Sequence, residues 1–157
     1  MSTRSCTTIH AASDRSNTSK GFRLAALYRH CDGCPAEAGA TLVDTLRNSK
    51  TSSDAVALLL ADVYELTSKA ADHGDLEHEY EAWLAKDGWK IRHGVRKGWD
   101  GDEFEWNTYT LAEFVQVVNR DRSEINSRIA QLRSEHPTAY AEATDYPMLA
   151  LSIGGAS

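Results

Sequence analysis

The chain reads as an α+β domain: one antiparallel sheet of about four to five strands, with helices packed on one face. Three observations predict this. Alternating β-forming segments come in hairpin pairs, two stretches carry apolar residues at helical spacing between them, and no linker-like stretch divides the 157 residues. That length suits a single domain spanning 1–157, with a tail expected to fray from about residue 147.

"TRSCTTIHAA" is rich in β-formers, so residues 2–11 form a first strand. "SDRSNTSKG" is turn chemistry. "FRLAALYRH" then sets Phe22, Leu24, Ala26 and Tyr28 on one face, completing a hairpin with a long polar loop. Pro35 suits the first position of a helix, where its missing N–H costs nothing, and Ala36, Ala40, Val43 and Leu46 give that helix an apolar stripe to about Arg47. A second helix starts near Thr51, and Val56, Leu59, Leu60, Val63 and Leu66 mark it as the best core helix.

"LEHEYEAWLAKDGWKIRHGV" fits a helix or a strand. The strand reading prevails because "KDG" signals a hairpin turn and "WKIRHGV" alternates directly after it. "DEFEWNTYT" adds a further strand with Phe104 and Trp106 on one side. Thr110 and Glu113 form a capping box for a helix carrying Leu111, Phe114, Val115 and Val118. Ser123 is expected to cap a last helix with Ile125, Ile129 and Leu132, ended by Pro137. The predicted order is β-β-α-α-β-β-β-α-α.

The formal net charge is −6, and between Asp72 and Glu105 ten acidic residues face five Lys or Arg. Direct nucleic-acid binding through phosphates calls for the opposite bias. A basic protein surface is the better partner. No apolar run is long enough to span a bilayer, the N-terminus lacks the apolar core of a secretory signal, and three cysteines cannot complete a disulfide framework. A cytoplasmic location follows as the expectation.

The stretch "YRHCDGCPAEAG" invites four readings: metal site, redox centre, anion-binding helix end, or strand-to-helix corner. Zinc needs a second ligand pair at close spacing, which is missing, and the elements stand in the wrong order for a thioredoxin-like dithiol. No metal and no cofactor is therefore assigned. Amides of Ala36 and Glu37 at the helix start, with Arg4 nearby, could take a nucleotide-like anion; Asp32 capping the same amides is the plainer reading. The ligand-binding candidates are Arg4, Tyr28, His30, Asp32 and Gly33. His30 and Asp32 lack a nucleophile beside them, so no catalytic residue is assigned. Four tryptophans stand within the acidic segment, a composition common at protein-binding surfaces. The partner-binding candidates are Trp83, Trp89, Trp99, Asp100, Asp102, Glu103 and Glu105. A homodimer would bury such tryptophans if they were exposed. His78 and His93 are placed to face each other across the second hairpin.

The opening "STRS", the hairpin after it, and "YRH-x-DG" with Pro one residue later resemble small uncharacterised bacteriophage and prophage proteins, whose pattern is "STRS" followed by "YxHWDGYP" leading into a helix. Ser2, Thr3, Arg4, Ser5, Tyr28, His30, Asp32, Gly33 and Pro35 match, and "FEWNTYTLAEF" resembles that family's aromatic strand entering a helix. The resemblance covers the first third of the chain and this later patch. The family has Trp and Tyr where this chain has Cys31 and Cys34, which argues against thiolate chemistry at the corner. It implies a phage-encoded accessory protein acting in the host cytoplasm. The expected function is non-enzymatic inhibition of a host defence complex, in the manner of an anti-CRISPR protein. Sequestering a nucleotide-like anion is the alternative.

Overall fold

The computed structural model describes residues 3–12, 20–68, 70, 73–98 and 103–151. Strands β1 (Ser5–His10) and β2 (Arg23–Arg29) precede a π-helical turn, Pro35–Gly39, that runs directly into α1 (Ala40–Arg47). Then come α2 (Ser52–Leu60), β3 (Glu65–Thr67), β4 (His78–Ala85), β5 (Gly88–Arg96), β6 (Phe104–Thr110) and α3 (Leu111–Glu135). The protein is α+β, as its alternation of strand and helix patterns predicts. Among the described residues no helix is long and apolar enough to cross a membrane.

The sheet has six strands in the order β3-β2-β1-β4-β5-β6, and it is mixed. Every neighbouring pair is antiparallel except β1 with β4, which run parallel. Parallel pairing requires a long crossover, and everything from β2 to β3 provides it. The expected four or five antiparallel strands miss β3, three residues too short to show periodicity, and miss the parallel pairing, which no local pattern encodes.

All three helices lie on one face. There Ile9, Leu27, Tyr80, Ala82 and Ile91 of the sheet meet Leu42, Val43 and Leu46 of α1, Leu59 of α2, and Phe114, Val115 and Val118 of α3. Each large side chain so buried contributes about 1.5–3 kcal/mol. On the other face Leu76, just before β4, covers Cys6, Ala26 and Tyr28 in a smaller cluster.

Two elements differ from expectation. α2 ends at Leu60, and Leu58, Leu60, Val63 and Leu66 are exposed, because the chain leaves the helix to make Tyr64 a core residue and 65–67 an edge strand. The two C-terminal helices are one: Ser123 lies inside α3, its hydroxyl capping nothing, because helical propensity continues across it unbroken. Of the tail expected to fray from about 147, residues 152–157 lie outside the described residues; in the part before them, side chains of α3 bond to the backbone. Asn126 takes both the N–H (2.7 Å) and C=O (3.0 Å) of Tyr146, and Asn119 does the same for Leu149 at 2.7 and 2.9 Å. Arg122 donates to the Pro147 carbonyl and Arg47 to that of Ala150. A carboxamide offers one donor and one acceptor side by side, so each asparagine acts as a neighbouring strand would.

Candidate functional site

The corner between β2 and the helix is built by close approach. Asp32 adopts a left-handed backbone, φ 55°. Gly33 lies so near β1 that a Cβ would sit 2.6 Å from the Arg4 carbonyl carbon and 2.7 Å from the Ser5 nitrogen. Its N–H donates to Thr3 O (3.0 Å), and its carbonyl accepts from the buried Tyr80 hydroxyl (2.8 Å). Pro35 then opens the helix.

The helix amides are taken. Ala36 donates to Asp121 of α3 at 2.7 Å, Glu37 to Cys34 O and Ala38 to Asp32 O. The carboxylate at this helix start is therefore Asp121, eighty-five residues away, and not the side chain of Asp32. Local reading could not find it, since only the packing of α3 brings it there. The amides proposed for an anion are already bonded within the chain.

Of the five ligand candidates, Arg4, Tyr28 and His30 do come together, on the helix-free side. Tyr28 stacks on His73 with centroids 3.9 Å apart and meets His30 edge-on at 4.6 Å. Arg4 pairs with Asp75, and His30 with Glu65 at 3.3 Å. Burial, then the Asp75 charge, push the Tyr28 phenol up, so it stays protonated. Gly33 serves the corner backbone, and Asp32 lies toward Tyr146 of the tail.

The three cysteines are free thiols. Burial raises Cys34, with the Asp121 charge adding to it, and raises Cys6 to about 12. Among the described residues no three His, Cys, Asp or Glu side chains are grouped to hold a metal. His78 and His93 do meet, Nδ1 to Nε2 at 3.0 Å, with one ring donating and the other accepting. Tyr80 stacks on His93 and Phe114 stands edge-on to both. Burial, then His78, bring His93 down to about 3, so this pair is neutral core.

The tryptophans separate. Trp83 and Trp89 are 4% and 8% exposed, so neither offers its area to a partner as expected: Trp89 fills the core under the helices, and Trp83 is shut beneath the opposite face. Trp83 also lines a cleft of about 340 Å³ with Lys90, Thr108 and Thr110. Trp99, Asp100 and Asp102 lie outside the described residues.

Trp106, which composition alone did not single out, is the half-buried tryptophan on the helix-free face. Its ring lies over Gly94, where a Cβ would approach within 2.9 Å of the ring carbons. The Arg92 guanidinium covers the ring at 4.2 Å, and Phe104 is 5.8 Å away. Gly94 pairs with Trp106 across β5 and β6, a relation visible only once the register is known.

Glu81 organises the charge beside it. Burial pushes its carboxyl up, but hydrogen bonds from Lys20 and Arg92, with the His10 ring 3.7 Å away, outweigh that and bring it to about 2. Lys20 lies at 2.6 Å and Arg92 at 3.1 Å. Glu79, next to it, is raised by burial and then by Glu81. Glu103 and Glu105 are exposed at the start of β6, with Lys97 3.9 Å from Glu105. Flat π surface, guanidinium and carboxylates together supply recognition chemistry.

No family model, curated protein or solved structure matches this chain.

Proposed function

We propose that this is a non-catalytic binding protein, a phage-encoded accessory factor that inhibits a host defence complex by docking the helix-free face of its sheet onto a basic host protein. The observation that carries the docking reading is Trp106 laid flat over Gly94 with no described helix covering it. A rigid aromatic surface bears binding energy at low entropic cost, and tryptophan and arginine are the residues enriched at interface hot spots. Glu103 and Glu105, exposed near the start of β6, would steer a basic partner at long range. The phage context rests on the resemblance of Arg4, Tyr28, His30, Asp32, Gly33 and Pro35 to the phage motif.

The test is capture of a basic host protein from host extract by immobilised chain. Trp106→Ala should weaken the affinity for that protein by about thirtyfold, the equivalent of about 2 kcal/mol. Val63→Ser, at an exposed site between α2 and β3, should leave it unchanged. Equal binding by both variants would place the interface elsewhere.

A further inference from the structure

The two edges of the sheet differ. β3 is three residues long, and short edges are self-protecting. β6 is seven residues, FEWNTYT, paired without a bulge to β5 on one side. It carries no lysine and no proline, the usual protections of a long edge. The phase of its hydrogen bonds follows from Lys97 N–H donating to Glu103 O at 2.8 Å. Bonded pairs alternate in an antiparallel ladder, so Glu105, Asn107 and Tyr109 bond to β5, while Phe104, Trp106 and Thr108 turn their N–H and C=O outward. Thr110 would be the next, but Glu113 already accepts its N–H at 2.7 Å.

We infer that the outward edge of β6 is the dimer interface of this protein, a second copy adding its own β6 antiparallel about a two-fold axis at Trp106. Only registers that match outward residues with outward residues form bonds. Centring the axis on Trp106 pairs Phe104 with Thr108 of the partner subunit, Trp106 with its own copy, and Thr108 with Phe104 of the partner subunit, so all three outward residues are used. The same register sets Glu105 against Asn107 of the partner subunit. Shifting the axis toward the start of the strand sets Glu105 on its own copy, and like charges directly opposed are destabilising. Shifting it the other way would need the Thr110 N–H that Glu113 holds. The Trp106 ring leans inward over Gly94, which leaves its backbone clear for the incoming strand. The product is one continuous sheet of twelve strands, isologous as a two-fold interface must be, with two Trp106 platforms on a shared helix-free face.

The experiment is sedimentation and light scattering on the full chain, with two variants. Wild type should run at twice the chain mass. Thr108→Pro removes one outward N–H while leaving the ladder to β5 intact, so it should be a folded monomer by circular dichroism. In a Cys31→Ser background, Trp106→Cys should cross-link to a covalent dimer on mild oxidation, whereas Glu103→Cys, far from the axis, should not. A monomeric wild type overturns the inference, as does a dimer that survives Thr108→Pro, or cross-linking through Glu103→Cys in preference to Trp106→Cys. A monomeric Thr108→Pro variant, which keeps the Trp106 ring, should still capture the host protein. A monomeric wild type that still captures it would reject the dimer and spare the docking reading. A dimer that captures nothing would do the reverse.

Discussion

The two faces of this sheet treat polar groups in opposite ways. On the helix side His78 and His93 are stacked with Tyr80, Phe114 stands edge-on to the stack, and the histidines bond to one another while neutral. On the helix-free side Glu81 is charged, and it is held there by Lys20 and Arg92. Similar strands supply both sets; what differs is the cover. Three helices exclude water from one face, so the charged form is penalised there, while the other keeps enough solvent and counter-charge for ionised groups. The first face is built for cohesion and the second is left able to recognise.

The largest break in that arrangement should come at the corner that seats the helices. Gly33→Ala drives a methyl group into the β1 backbone, which cannot yield as a side-chain tip could. Loss of about 3 kcal/mol or more is expected in urea unfolding.

Acid titration should separate the two faces. His93 falls from 6.5 to about 3 on folding, so the unfolded chain binds a proton that the native state refuses. Its contribution is complete above pH 6.5 and is lost as pH falls toward 3, at up to about 1.4 kcal/mol per pH unit. Glu81 falls from 4.5 to about 2, so its contribution is present above 4.5 and lost as pH drops through 2. Urea midpoints measured across this range should show His93→Gln flattening the upper part of the acid limb. Glu81→Gln should flatten the lower part and cost about 2 kcal/mol at neutral pH. An unchanged limb in both variants would mean that other groups govern acid unfolding.

Gly94→Ala sharpens the contrast at the platform. The added methyl lifts the Trp106 ring, which can move, so stability should fall by only about 1 kcal/mol. Capture of the host protein should nevertheless drop as it does for Trp106→Ala. The smallest effect on the fold is expected from Glu103→Lys, exposed at the start of β6. Stability should stay within about 0.5 kcal/mol. The association rate with a basic partner should fall, most clearly at low salt, where screening is weak.

The sequence by itself determined the elements whose cause is local. The β4–β5 hairpin follows from alternation around "KDG", with Gly88 at φ 116° in its turn. The start of α3 follows from the capping box of Thr110 and Glu113, and the corner follows from Gly33 and Pro35. These rest on spacing and backbone freedom within a few residues. Tertiary structure decided whatever depends on partners far along the chain. It put β4 parallel to β1, gave the helix start Asp121, and tied the tail to Asn119 and Asn126. It also sorted the tryptophans, shutting Trp83 and Trp89 away and laying Trp106 on Gly94. Composition counts tryptophans alike, because burial is a property of the assembled sheet: which face a residue occupies, and whether helices cover that face, is set by register and packing together.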